Sequence, residues 1–267
     1  MTNGGYVDTE WGQVHYRISG ASGPWIALFH ESPLSSRVYE QVLPQLGRQA
    51  RAVAFDTPGY GASDPPPGPD FELPDYGRVL AEAAARIGME KPVLGGVHSG
   101  ASLALAAAAH LPPAGLMLSG VPLFDAEERA RLIAGWTPEA PLDDRGSQFA
   151  WAVERYLRTC GPDLPGELLH LAVVELMRVA DRYAWGYQAA FRYDPSEVLA
   201  AADVPVLLLN AESDRLAAKD AAALELARDA RLVVLPGLPG QPHLRAPADF
   251  AAALLAFAQE VNRLGRN

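Results

Sequence analysis

Thirteen residues in the middle of the chain, PVLGGVHSGASLA from Pro92 to Ala104, combine a short apolar run, a glycine-rich break and an alanine-rich stretch. The run has the length and composition of a buried strand and the alanines those of a helix, so the break is a tight strand-to-helix turn. His98 and Ser99 stand in that turn. An imidazole presented there can act as a general base near neutral pH, and a hydroxyl can act as a nucleophile if a base accompanies it. Two considerations put His98 at the apex. A strained apex needs very small residues two positions before and after it, and Gly96 and Gly100 provide both. The same positions around Ser99 hold Val97 and Ala101.

Strand-like and helical runs alternate along most of the chain, the pattern of a mostly parallel sheet covered on both faces in an α/β protein. Strands are expected near Val14–Ile18, Trp25–His30, Arg51–Phe55, Val93–Val97, Leu116–Ser119, Val204–Asn210 and Leu232–Leu235. Helices are expected over Asp75–Gly88, which begins on a capping residue and ends on glycine, and from Pro247 to about Leu264. Between Phe124 and Leu199 the alternation stops: the periodicity is helical and no strand candidate occurs. This stretch is rich in large aromatics, including Trp136, Trp151, Trp185 and Tyr187, which can line an apolar substrate chamber.

The strand–turn–helix segment resembles the nucleophile elbow of the α/β-hydrolase family, written G-x-S-x-G, with histidine where that family usually carries serine. Other segments extend the resemblance over nearly the whole chain. ALFHESPLSS (Ala27–Ser36) is similar to the strand and turn that lend a backbone N–H to the oxyanion hole, AFDTPGYGASD (Ala54–Asp64) to the D-x-x-G-x-G-x-S-D loop, and VPVLLLNAESDRL (Val204–Leu216) to the segment presenting the triad acid. VVLPGLPGQPHLRAPADF (Val233–Phe250) is similar to the segment that delivers the catalytic histidine. The resemblance implies an α/β-hydrolase core over residues 1–123 and 200–267, with an inserted helical cap over 124–199 roofing the site. It also implies Asp214 as the triad carboxylate. Counting from either Val233 or Pro247, the family's histidine position falls on Gly240.

Serine has thus become histidine and histidine has become glycine. Gly240 vacates space between the elbow and Asp214 that the His98 ring can occupy, so a direct His98–Asp214 hydrogen bond is expected, giving a base that titrates near neutrality. Glu31 stands where relatives commonly have glycine beside the oxyanion hole; enclosed, it can stay protonated and serve as an acid, or it can turn outward or pair with Arg37. Ser32 and Ser99 can contribute polar contacts, and the Ser99 N–H can polarise a carbonyl. His30 reads as structural, His243 as a rim residue, and His15, His110 and His170 have no evident partners.

The expected activity is cofactor-free acid/base chemistry by His98 and Asp214, with Glu31, on a small, largely apolar or aromatic carbonyl compound: elimination, isomerisation, cyclisation, or water-mediated ester or lactone hydrolysis. Two alternatives stand beside it: a serine esterase with Ser99 as nucleophile and His243 as base, and a non-catalytic ligand-binding descendant. A formal net charge of −10 disfavours nucleic acid and anionic membranes as partners. The single cysteine, Cys160, excludes an internal disulfide, and no ligand cluster suggests a metal. With no apolar leader in view, a cytoplasmic protein is expected, and a homodimer is left open.

Overall fold

The computed structural model describes residues 2–161 and 163–265. Eight strands form one sheet in the order β1-β2-β4-β3-β5-β6-β7-β8. They run β1 Thr2–Thr9, β2 Gly12–Ser19, β3 Trp25–Phe29, β4 Arg51–Phe55, β5 Val93–Val97, β6 Gly115–Ser119, β7 Val206–Ala211 and β8 Ala230–Leu235. The β1–β2 and β2–β4 pairs are antiparallel and the rest parallel. Strand β1 was not anticipated: TNGGYVDT holds two glycines and four polar residues, and it survives as a sheet edge because β2 pairs with its whole length.

The central strands are buried on both faces, which is why they read as continuous apolar runs. Successive side chains feed opposite layers: Leu94, Leu116 and Leu208 join the core on one side of the sheet, Val93, Met117 and Leu207 the core on the other. The covering helices before β6 are α1 Leu43–Leu46, α2 Leu73–Arg86 and α3 Ser99–Ala108. Helix α2 begins two residues earlier than Asp75. Glu72 caps it, and the Asp75 carboxylate accepts the Glu72 N–H at 3.3 Å, so the expected cap residue is the returning half of a capping box.

Between β6 and β7 run five helices: α4 Ala126–Gly135, α5 Ser147–Cys160, α6 Gly166–Arg178, α7 Ala184–Arg192 and α8 Ser196–Ala201. Helices α9 Asp220–Leu226, α10 Pro242–Arg245 and α11 Pro247–Leu264 complete the body. Among the described residues no helix is long and apolar enough to cross a membrane.

The chain leaves β3 for β4 on one side and returns to β5 on the other, so the order reverses beside β3. Loops following strands on either side of such a reversal diverge and leave a crevice at the carboxyl ends of the strands. Glu31 and Ser32 follow β3 there, and His98 and Ser99 follow β5.

Candidate active site

His98 joins β5 directly to α3, with φ +50° and ψ −116°. That backbone is held by its neighbours. The His98 N–H donates to the Ser119 carbonyl at 2.8 Å. A Cβ on Gly96 would overlap the Gly100 carbonyl, and one on Gly100 would overlap the Phe29 carbonyl, so both glycines are required by close backbone packing. The strain at His98 is sustained because the surrounding sheet and helix leave no alternative.

The turn presents the imidazole to Asp214, which follows β7. Nε2 lies 3.0 Å from both carboxylate oxygens, and Oδ1 also accepts the Leu216 N–H at 2.9 Å. An ionised carboxylate only accepts, so Nε2 carries the proton in the neutral ring, and Nδ1 has no partner among the described residues. Burial pulls the His98 pKa down, but the hydrogen bond and charge of Asp214, aided by Glu31 and opposed by Arg215, raise it above the ordinary value. Burial pushes Asp214 up, and the contacts with His98 and the Leu216 N–H hold it below the usual carboxylate range.

Two glycines let these groups approach. Gly240, at φ +137°, passes the acid with no side chain; a Cβ there would stand 3.2 Å from Asp214 Oδ2. Gly120, at φ +62°, had escaped notice. A Cβ on it would come within 2.6 Å of His98 Cδ2 and 3.2 Å of Asp214 Oδ1. The only sequence signal for it is a glycine directly after β6, and its importance depends on β6 lying beside β5.

Glu31 is enclosed, as the acid reading expects, but it faces a histidine. It is buried rather than outward, and Arg37 instead pairs with Glu40 and with the buried Glu175. The group facing Glu31 is His243, with Nε2 3.4 Å from Oε1. Burial pushes the Glu31 pKa up, but the charge of His243, and then of His98, outweighs it and lowers the pKa, against the protonated form. Neither of its oxygens has a well-formed hydrogen bond. His243 is fully buried against Tyr39 and Phe250, not at a rim.

Ser99 Oγ accepts the Ser32 N–H at 2.7 Å and donates to Ser32 Oγ at 3.3 Å. A relay from Ser99 to His243 is therefore not assembled: the hydroxyl is bound to Ser32 and the imidazole faces Glu31. The backbone N–H of Ser99, in the first turn of α3, has no helical carbonyl before it and remains available to a ligand. His30 is structural: its Nδ1 donates to the Glu31 carbonyl and its Nε2 accepts the Thr57 N–H, each at 3.0 Å. His15, expected to lack a partner, lies 2.8 Å from Asp56.

A cavity of about 600 Å³ lies over the elbow, with His98, Asp214, Glu31, Ser32, Ser99 and Gly240 on its floor and sides. Trp136 and Tyr187 reach it from the helices above, together with Tyr156, Cys160 and Arg155, the last of which carries no signal in the sequence. Trp151 and Trp185 do not line it. Trp151 packs edge-on to Tyr183 at 5.5 Å, so that ring joins helix to helix. Burial raises the Cys160 pKa and keeps it a thiol, a poor nucleophile. Among the described residues no cluster of His, Cys, Asp or Glu is arranged to hold a metal.

Residues 18–253 match the model of a family described as alpha/beta hydrolase. The chain belongs to the alpha/beta hydrolase family. Its curated relatives include 2-(acetamidomethylene)succinate hydrolase of Mesorhizobium japonicum, 28% identical over 81% of this chain and 81% of that enzyme. Haloalkane dehalogenase 2 of Mycobacterium tuberculosis is 29% identical over 39% of this chain, a match spanning only 36% of the dehalogenase. Among solved structures, E-2-(acetamidomethylene)succinate hydrolase superposes with a TM-score of 0.79 at 24% identity, covering 96% of this chain and 99% of that one. A variant of the N-acyl homoserine lactonase AidH superposes at 0.78 and 20% identity, covering 98% and 99%. These likenesses establish the α/β-hydrolase fold.

Proposed function

We propose that this protein is a cofactor-free hydrolase of a carbonyl compound, in which His98, oriented by Asp214, activates water. The observation that carries the reading is the elbow imidazole, which lines the cavity, is bound through Nε2 to both oxygens of Asp214 at 3.0 Å, and has no partner for Nδ1 among the described residues. Nδ1 takes a proton from water as the water oxygen attacks the carbonyl carbon. The carbonyl electron pair moves onto oxygen and returns as the leaving group departs, and the leaving group recovers the proton from the imidazolium. Asp214 stabilises that cation throughout.

Glu31 acts on the site through its charge: both of its oxygens are shut off from solvent, and the carboxylate makes the neighbouring His98 more basic. An ionised carboxylate would repel an oxyanion placed next to it, so the carbonyl oxygen is better directed toward the Ser99 N–H at the positive end of α3. Kinship to hydrolases, the acetamidomethylene succinate hydrolase among them, favours hydrolysis over elimination or isomerisation on this base. The largely apolar chamber suits a substrate with an alkyl or aryl body.

The test is turnover of an ester, lactone and amide panel in ¹⁸O-labelled water. One solvent oxygen should enter the acid product; turnover without label would assign elimination or isomerisation instead. His98→Ala should lose activity and Ser99→Ala should keep most of it. Covalent labelling of Ser99 by a fluorophosphonate, with activity lost in Ser99→Ala, would overturn the reading in favour of a serine esterase. Ligand binding with no turnover across the panel would favour a receptor.

A further inference from the structure

The helices over the cavity contribute a buried positive charge that no carboxylate answers. Arg155, on α5, is 4% exposed and borders the cavity. Its Nη1 donates to the Trp136 carbonyl at 3.0 Å, and its guanidinium lies between 5.3 and 5.9 Å from the ring centroids of Tyr183, Trp136, Tyr187 and Trp151. Among the described residues it forms no ion pair. Elsewhere the chain does pair its buried charges: Glu175 has Arg37 at 3.2 Å and Asp56 has His15 at 2.8 Å. The two carboxylates on the cavity wall are already engaged, Asp214 by His98 and Glu31 by His243.

Two more arginines border the same space. Arg215 stacks over Trp136 at 4.8 Å and donates to the Thr159 carbonyl, and the Nε of Arg245 is buried without a partner. Neither forms an ion pair among the described residues. A chain with a formal net charge of −10 thus presents an excess of cationic groups to its cavity. A buried cation without a counter-charge is costly and is expected to be retained where a ligand provides the missing anion.

We propose that Arg155 anchors a carboxylate on the substrate, so that the site takes an anionic carbonyl compound with an apolar body rather than a neutral one. One guanidinium edge matches the two oxygens of a planar carboxylate, while the aromatic rings around it exclude water and accommodate the adjoining hydrocarbon. The inference rests on the reading of this cavity as the substrate site, but it does not require that His98 be the base.

Titration calorimetry with 4-phenylbutanoate and its neutral isostere 4-phenylbutanamide tests it without any turnover. In the wild type the acid should bind at least about tenfold more tightly than the amide, an advantage that shrinks with added salt. The same preference should persist in His98→Ala, fall to about parity in Arg155→Met, and survive in part in Arg155→Lys. Equal binding of acid and amide by the wild type would overturn the proposal, as would no saturable binding of the acid. So would a preference unchanged in folded Arg155→Met, or tighter binding of a phosphate monoester of the same body. If Arg155→Met does not fold, the wild-type ratio and Arg155→Lys still decide. Acid preference without catalysis in any assay would retain this assignment and discard the proposed hydrolysis.

Discussion

At the scale of single residues, the chemistry depends on how three charged neighbours set one imidazole. The Asp214 contact and the Glu31 charge raise the His98 pKa while Arg215 opposes them, and only the unprotonated ring can accept a proton from water. Activity should therefore rise with pH through a single ionisation lying above the ordinary histidine value of about 6.5. Asp214→Asn removes the charge and leaves only a neutral amide oxygen as acceptor. The midpoint should move to lower pH, and the plateau kcat should fall by roughly 10²- to 10⁴-fold. Glu31→Gln removes one negative charge and leaves the Asp214 contact intact. Its midpoint should also move to lower pH, while the plateau kcat should change less than in Asp214→Asn. Measured pH–rate profiles of the two variants separate these roles: an unshifted midpoint in both would show that neither carboxylate acts on His98. That His98 stands at the apex was legible from Gly96 and Gly100 alone, and its φ of +50° agrees. The charge state of Glu31 was not, because it depends on His243, which is 212 positions away in sequence and 3.4 Å away in space.

At the scale of elements, the site is a meeting of strand ends, and the loops leaving β6 and β8 must pass without side chains. Gly120→Ala would place a methyl group 2.6 Å from the His98 ring on a backbone with φ +62°. Stability should fall by about 1–2 kcal/mol, read from the urea midpoint, while displacement of the ring should lower kcat by about a hundredfold. An activity loss no larger than the stability loss explains would contradict that view. The late loop is equally committed. At φ +137°, Gly240 has a conformation that other residues rarely adopt, so the His98→Ser/Gly240→His double variant should not become a serine hydrolase. Efficient fluorophosphonate labelling of its new serine would show that the loop can readjust. Gly240 could be located by counting from Val233 and from Pro247. Gly120 could not, because nothing local distinguishes it from any glycine that ends a strand.

At the scale of the whole molecule, a third histidine–carboxylate contact, His15 with Asp56, ties the antiparallel side of the sheet to the loop that follows β4. Burial pushes the Asp56 pKa up, yet hydrogen bonds from His15, Ala62 and Ser36 hold it at about 2. A carboxylate depressed in the folded state stabilises the protein above its unfolded pKa of about 3.8, and that contribution is lost as pH falls toward 2. At neutral pH, Asp56→Asn should cost roughly 2 kcal/mol, and its deficit relative to wild type should shrink between about pH 4 and pH 2 in denaturant titrations. A deficit independent of pH would rule out this linkage. The parallel sheet could be read from the sequence because strands buried on both faces must be apolar throughout, and such runs are visible as they stand. The edge strand Thr2–Thr9 and the separation of Trp136 from Trp151 could not, since pairing with β2 and the rotation of each helix between β6 and β7 are settled by packing partners distant in sequence. By itself the sequence determined the alternation of elements, the strained elbow and the residue at its apex, all consequences of local sterics and hydrophobic period. Only the tertiary structure decided which carboxylate the imidazole meets, that Glu31 faces inward, and that Arg155 lies buried without a counter-charge, because electrostatic environment is a property of neighbours in space.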